Sequence, residues 1–183
     1  VTESVPPGGT LILRDLFFFF FIICYYTAVN LALDAIGGAR TFTAFMRSIG
    51  DDKTRLDRRE PELNEATPGD ARDTTTPIAA ARSLQTLLLD GVLSAPARNE
   101  LTQWMLGDQV ADALLRAGLP RDWQIADKSG AGGHGSRSII AVVWPPKRSA
   151  VIVAIYITQT AASMSASNQA VSRIGSALAK ALQ

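Results

Sequence analysis

Cysteine and histidine are almost absent from the sequence. The 183 residues contain one of each, Cys24 and His134. A single cysteine excludes a disulfide within the chain, and one cysteine with one histidine supplies no cluster of metal ligands. We therefore expect no structural disulfide, and no metal or other cofactor.

An excess of charge of one sign is also missing. The chain has 18 Lys and Arg residues against 17 Asp and Glu residues, which leaves a net charge of +1. It contains no basic run that would neutralise successive phosphates. Nucleic acid is therefore not an expected partner.

The N-terminus lacks the pattern of a secretory signal peptide. The chain begins with Val1, and no basic segment is followed by an apolar stretch and a small-residue cleavage site. We interpret the sequence as a fragment of a longer precursor, and we expect no signal peptide within these 183 residues.

One long apolar run stands out. Residues 16–33 contain no charge and include five consecutive phenylalanines at 17–21. Eighteen residues just reach the length of a membrane span, which is the alternative here. Asn30 within the run and the absence of a flanking basic cluster argue against a span. Five consecutive phenylalanines must point all round a helix, so some enter positions where small residues fit. Overpacking destabilises a helix by ~1–3 kcal/mol at each such site. Residues 17–21 therefore also predict local misfolding or aggregation.

The remaining sequence predicts an α/β fold. With 47% hydrophobic residues the chain can bury a core, as one domain or two small ones. Apolar periodicity and capping residues predict a helical region over 1–106 and an α/β region over 107–183 with a three-stranded antiparallel sheet. The expected helices cover 41–49, 77–90, a segment from Ser94 to Gly107, and 166–182, and the expected strands cover 123–127, 138–144 and 150–158.

The stretch 127–137 places cations and a hydroxyl beside glycines. Lys128 and Ser129 precede a turn with four glycines between 130 and 135, and Arg137 opens the next strand. On a hairpin we expect Lys128 and Arg137 to lie close together across the turn, where they would meet one carboxylate. The alternative is a pair of ordinary solvated charges.

Residues 51–76 form a long segment with little periodicity. It contains many Arg and Asp residues, with Pro61, Pro68 and Gly69. A loop of this length inside a compact domain is functional or disordered, and the charge density favours an ordered Ω-type loop that is clipped by ion pairs.

Three motifs together resemble the class A serine β-lactamases. They are Lys-Ser-Gly at 128–130 with Gly-Ser-Arg at 135–137, the sequence RLDRREPELN at 55–64, and GDARDTTTP at 69–77. The resemblance runs from about residue 27 to 183. It implies a β-lactamase/transpeptidase-like fold, a small-molecule β-lactam substrate, and a periplasmic or secreted location.

The resemblance also implies roles for residues in the loop. Glu60 would activate the water that hydrolyses an acyl-enzyme, and Asn64 would help to hold that water. Arg58 and Asp73 would clip the loop. A penicillin-binding transpeptidase is the alternative relative, but it has no use for rapid deacylation, and the Glu60 and Asn64 motif argues against it.

On the hairpin, the resemblance implies a substrate site. Its carboxylate-binding residues are Lys128, Ser129 and Arg137, with Gly130 beside them. The Ala131 backbone N–H would form half of the oxyanion hole.

Several family features are missing. None of the four lysines has a serine three residues before it, so no Ser-x-x-Lys nucleophile motif is present. Cys24 stands where the family has a proton-relaying Ser, and Tyr26 where it has a substrate-binding Asn. Arg59 replaces a usual aromatic residue. We expect Cys24 to be structural, a catalytic Cys24 being the alternative.

Two further expectations follow from the missing features. The isolated chain is expected to be inactive, as a non-catalytic remnant or truncated product. The family's two N-terminal strands are also missing, so the strand at 150–158 would expose an edge that favours self-association.

Overall fold

The α/β prediction is confirmed. A computed structural model of the protein describes residues 26–182. The segment 1–25, which includes Cys24 and the phenylalanines at 17–21, lies outside the described residues. The elements, in chain order, are α1 (Tyr26–Ala35), α2 (Ala39–Ser48), a 3-10 helix (Glu62–Asn64), α3 (Pro77–Leu88), α4 (Ala95–Leu106), a π-helical turn (Asp112–Arg116), β1 (Gln124–Ala131), β2 (Arg137–Trp144), β3 (Val151–Ile157) and α5 (Met164–Leu182).

Two helices begin at the capping residues that the sequence predicts. The Thr76 hydroxyl accepts a hydrogen bond from the Ala79 N–H at 3.2 Å, and Pro77 occupies the first turn of α3. The Ser94 hydroxyl accepts from the Ala97 N–H at 3.5 Å at the start of α4. These side chains satisfy N–H groups that have no partner within the helix.

The three strands form one antiparallel sheet in the order β1-β2-β3. Strand β1 continues to Ala131, four residues past its predicted end, because Gly130 pairs with Ser138 and Ala131 with Arg137. The Lys-Ser-Gly motif therefore lies within a strand, and the turn is confined to residues 132–136.

In this register Lys128 and Arg137 are not cross-strand partners. Lys128 is opposite Ile140, whereas Arg137 is opposite Ala131, three residues further along β1. Side chains alternate between the faces of a strand, so the side chains of Lys128 and Arg137 leave the sheet on opposite faces.

The sheet buries an apolar layer on each face. One face packs against α5 and the π-helical turn. Its residues are Ile125, Ile139, Ala141 and Val143 of the sheet, and their helical partners are Leu114, Leu115 and Val171. The other face packs against α3 and α4, where Ala126 and Val142 of the sheet meet Leu84, Leu88 and Met105 of the helices. A strand covered on both faces reads as a continuous apolar run, which β2 shows.

The described part of the apolar run belongs to a short helix. In α1 the side chains of Ala28, Ala32 and Leu33 are buried, whereas those of Tyr26 and Leu31 are exposed. Within residues 26–182, no helix has both the length and the hydropathy needed to cross a bilayer.

Candidate active site

The loop 51–76 begins at a buried carboxylate. Asp51 Oδ2 accepts hydrogen bonds from the hydroxyls of Thr54 at 2.5 Å and Ser83 at 2.7 Å. Its Oδ1 accepts from the N–H groups of Lys53 and Thr54. Burial raises the pKa of Asp51, but these hydrogen bonds outweigh it and lower the pKa to about 2. Asp51 thus joins the loop to α3 as a carboxylate.

An ion pair clips the middle of the loop. Arg58 Nε donates to Asp73 Oδ2 at 2.6 Å, and Asp73 Oδ1 accepts from the N–H groups of Asp57 and Arg58 at 2.7 and 2.9 Å. The Asp73 side chain is 3% exposed and that of Arg58 is 15% exposed. Arg58 also pairs with Glu65. Residues 57 and 58 on one side of the loop and Asp73 on the other are therefore held together at one nearly buried carboxylate.

Glu60 and Asn64 form a hydrogen-bonded pair. Both are partly buried, and Asn64 Nδ2 donates to Glu60 Oε2. Burial raises the pKa of Glu60, the nearby charge of Glu62 adds to the rise, and the Asn64 hydrogen bond opposes it. A carboxylate with a raised pKa is better matched to taking a proton near neutral pH.

The side chain of Asn30 in α1 hydrogen-bonds the backbone of Glu60, a contact that the sequence did not predict. Asn30 Nδ2 donates to the Glu60 carbonyl at 2.9 Å, and Asn30 Oδ1 accepts from the Glu60 N–H at 3.0 Å. One turn further along, Asp34 pairs with Arg59, and Arg59 Nη2 lies 2.9 Å from Asp34 Oδ2. The spacing i, i+4 of Asn30 and Asp34 was the available signal, because it places both on one helix face.

On β1, Lys128 has two close polar neighbours. Its Nζ donates to the Ser129 carbonyl at 3.1 Å and lies 3.6 Å from Asp108 Oδ2. The Lys128 side chain is largely buried, and Ser129 is buried.

Arg137 is also buried, at 9% exposure. Its Nη1 donates to the Gly130 carbonyl at 3.1 Å and its Nε donates to Asn168 Oδ1 at 2.9 Å. The guanidinium of Arg137 and the ammonium of Lys128 thus reach the main-chain carbonyls of two consecutive residues, Ser129 and Gly130.

The loop and the hairpin meet at Asn64. The Gly133 N–H donates to the Asn64 carbonyl at 2.8 Å. A Cβ on Gly132 would lie 2.7 Å from the Asn64 oxygen, and one on Gly133 would lie 2.2 Å from the Glu65 oxygen. Only glycine permits this approach without a backbone shift. Asn64 therefore touches Glu60 through its side chain and the hairpin turn through its carbonyl.

A cleft of about 610 Å³ separates the loop from the sheet. Its walls bring Asn64 and Asp73 together with Gly130, Ala131 and Arg137. Arg58, Glu60, Lys128 and Ser129 are not among its lining residues.

A second ion pair, also missed from the sequence, supports β1. Arg116 of the π-helical turn lies 2.5 Å from Asp127, which is fully buried. Burial raises the pKa of Asp127, and Arg116 opposes the rise. Arg116 also donates to the carbonyls of Met105 and Leu106 at the end of α4. Arg116 therefore links Asp127 of β1 to the π-helical turn and to the end of α4.

The comparison with known protein families agrees with these motifs. The family model described as the Beta-lactamase enzyme family matches residues 1–182. Over 149 residues the chain is 68% identical to Beta-lactamase AER-1 of Aeromonas hydrophila. The matched residues make up 81% of this chain and 49% of that protein. The chain belongs to the class A β-lactamase family. Beta-lactamase PSE-1 of Pseudomonas aeruginosa is 52% identical over 149 residues, with 81% of this chain and 52% of that protein covered.

Solved class A β-lactamases share the fold. An ancestral class A beta-lactamase, GNCA, superposes with a TM-score of 0.95 at 46% identity, covering 99% of this chain and 69% of that chain. The chromosome-encoded beta-lactamase of Vibrio parahaemolyticus has a TM-score of 0.93 at 43% identity, covering 96% of this chain and 67% of that chain. The chain spans about half the length of the curated β-lactamases it matches.

Proposed function

We propose that this chain carries the water-activating and carboxylate-binding parts of a β-lactam hydrolase. The observation that carries the proposal is the position of Asn64, whose side chain bonds Glu60 while its carbonyl accepts from Gly133 of the hairpin turn. Family membership supplies the substrate class, a β-lactam.

Glu60 is the proposed general base for deacylation. A water molecule near neutral pH is a poor nucleophile until a base removes its proton. Asn64 orients the Glu60 carboxylate, Asn30 fixes the backbone on both sides of it, and the Arg58–Asp73 pair closes the loop. These contacts support Glu60 because a base must be held within hydrogen-bond reach of its water.

Lys128 and Arg137 are the proposed partners of the substrate carboxylate. The two side chains leave opposite faces of the sheet, but their charged ends reach the carbonyls of the consecutive residues Ser129 and Gly130, which brings two cations to one short segment of β1. The Ser129 hydroxyl is the proposed third contact. The N–H of Ala131, the last residue of β1 and a wall of the cleft, is proposed as half of an oxyanion hole.

The isolated chain is proposed to lack the covalent step. Its 183 residues contain no Ser-x-x-Lys motif, so no serine is paired with a lysine that activates it. The purified chain, incubated with a chromogenic cephalosporin, is expected to match the buffer rate. Turnover near the ~10 s⁻¹ of a typical enzyme, removed by Glu60→Ala, would contradict this proposal.

Carboxylate binding can be tested without turnover. Calorimetry with benzylpenicillin at two salt concentrations would compare the wild type with Lys128→Ala, Arg137→Ala and the double variant. Two cations that share one carboxylate couple non-additively, so the double variant is expected to bind little worse than either single one, and salt is expected to weaken binding. An affinity that is unchanged in all three variants would contradict the proposed carboxylate site.

We also propose self-association through the outer edge of β3. Among residues 26–182, β3 pairs with β2 alone, and it carries the uncharged sequence VIVAIYI. Such an edge is a template for another strand. Light scattering over a concentration series is expected to show mass above the 19.6 kDa monomer, and Tyr156→Lys, at the exposed position of β3, is expected to reduce it. A monomer at every concentration would end this proposal.

A periplasmic or secreted location is proposed from the family resemblance alone. Cell fractionation of the natural host tests it, and recovery only in the cytoplasm would contradict it.

A further inference from the structure

A buried carboxylate oxygen lies beside the proposed carboxylate-binding lysine. Asp108 follows α4, and its side chain has no solvent exposure. Its Oδ2 is the one buried side-chain oxygen or nitrogen between residues 26 and 182 that has no hydrogen-bond partner. Burying such an oxygen is costly unless a cation compensates it. Lys128 Nζ lies 3.6 Å from it.

The direction of this oxygen is set by the backbone around it. The Asp108 N–H donates to the Met105 carbonyl at 3.4 Å, and Asp108 Oδ1 accepts from the Val110 N–H at 2.6 Å. One carboxylate oxygen is thus used to close the turn after α4. The other is left pointing at Lys128.

The neighbouring cation, Arg116, already has its own partner. Asp127 accepts from Arg116 Nη2 at 2.5 Å and from Arg116 Nε at 3.0 and 3.1 Å. Asp127 and Lys128 are consecutive in β1, so their side chains leave opposite faces of the strand. The charge of Asp108 also acts on Arg116 and Asp127. The hydrogen bonds of Arg116, however, go to Asp127 and to the carbonyls at the end of α4, so Lys128 is the cation that forms an ion pair with Asp108 Oδ2.

We propose that Asp108 is a positioning residue for the Lys128 ammonium. Asp108 holds Nζ at the Ser129 carbonyl, from which Lys128 can address a ligand carboxylate. The proposal rests on the proposed function of Lys128. A lysine side chain has several rotatable bonds, and a residue that restricts them before the ligand arrives reduces the entropy lost on binding.

The charge of Asp108 also acts against an anionic ligand. A Coulomb interaction weakens with distance, and because Asp108 is fully buried, a ligand carboxylate would reach the Lys128 ammonium from the side away from Asp108. We therefore expect the loss of orientation to outweigh the relief of repulsion. Removal of Asp108 is expected to weaken binding, whereas simple competition for Lys128 would strengthen it.

The test measures the affinity of the 183-residue chain for benzylpenicillin by ligand-observed NMR. Asp108→Ala is expected to weaken binding about tenfold, a change of about 1.4 kcal/mol. Asp108→Asn keeps an oxygen acceptor toward Lys128 and is expected to lose about threefold. Asp112→Asn is the matched control, because it removes an exposed acid four residues away and is expected to leave affinity unchanged.

A double-mutant cycle separates positioning from a general loss of structure. In a Lys128→Ala background, Asp108→Ala is expected to have no further effect, because the residue acts through Lys128. An equal loss with and without Lys128, or tighter binding by Asp108→Ala, would overturn the proposal. If Asp108→Ala fails to unfold cooperatively, Asp108→Asn carries the cycle.

The same experiment separates the two proposals. If the wild type does not bind, or if Lys128→Ala binds as the wild type does, the proposed function of Lys128 fails and the role of Asp108 fails with it. If Lys128→Ala loses binding and Asp108→Ala does not, the role of Asp108 alone fails.

Discussion

The loop 51–76 and the three-stranded sheet carry the two halves of the proposed site, and different forces hold them. The sheet has a backbone ladder with apolar layers on both faces. The loop has no fully buried apolar residue, and its order comes from side-chain hydrogen bonds to the carboxylates of Asp51 and Asp73. The carboxylate-binding half is therefore held by packing, whereas the water-activating half is held by charge and is sensitive to pH and salt.

The sheet side of this comparison predicts the largest effect. Ile139 is fully buried in β2, and Ile139→Ala removes three carbon atoms and leaves a cavity. We expect the free energy of unfolding to fall by about 2–5 kcal/mol, with little dependence on salt. Denaturant titration measures it. Ile174→Ala, on an exposed surface of α5, is the control and is expected to change stability little.

The loop side predicts a local effect at Asp73. Asp73→Asn removes the nearly buried charge that Arg58 Nε meets and leaves Arg58 with its pair to the more exposed Glu65. We expect faster hydrogen exchange and proteolysis across residues 51–76, with β2 still protected. Asp70→Asn is the control, because its partner Arg72 is half exposed. Equal loosening in the two variants would contradict the assigned clip.

Asp51 sharpens the comparison through pH. Its folded-state pKa is about 2, below the ordinary value of 3.8. A depressed pKa means that the stabilisation is complete above the ordinary value and is lost as the pH falls through the folded value. We expect Asp51→Asn to destabilise the protein most at neutral pH and least near pH ~2.

Denaturation between pH ~2 and ~6 covers this window, with Asp122→Asn as an exposed control. A stability difference between the wild type and Asp51→Asn that stays constant with pH would count against the hydrogen-bonded carboxylate.

The smallest effect is expected at Arg59. Its pair with Asp34 is about half exposed on both sides, and exposed ion pairs contribute little to stability. Arg59→Ala is expected to change the free energy of unfolding only slightly, and salt is expected to remove the difference. A loss as large as that of Asp73→Asn would show that α1, and not the clip, holds this part of the loop.

Local signals predicted much of the fold. Thr76 and Ser94 act as caps because a capping hydroxyl bonds N–H groups only three residues away. The end of β1 was missed because glycine has a low strand propensity, and the pairing of Gly130 with Ser138 overrides it.

The site was predictable where a motif carries it. The roles of Glu60 and Asn64 were predicted from the family motif at 55–64, and the two side chains are in contact in the structure. The grip of Asn30 and the pairing of Asp108 with Lys128 depend on how distant segments dock, and no local pattern predicts that.

The proposed role of Glu60 in deacylation can be tested in a chain to which the nucleophile is restored. A class A segment with Ser-x-x-Lys would be joined ahead of this chain, with Cys24→Ser and Tyr26→Asn introduced. Mass spectrometry after mixing with benzylpenicillin would follow the acylated protein. With Glu60 present we expect turnover and little adduct, whereas Glu60→Gln is expected to accumulate a stable adduct, because acylation proceeds and water activation does not. Equally fast adduct loss in the Glu60→Gln variant would contradict the claim.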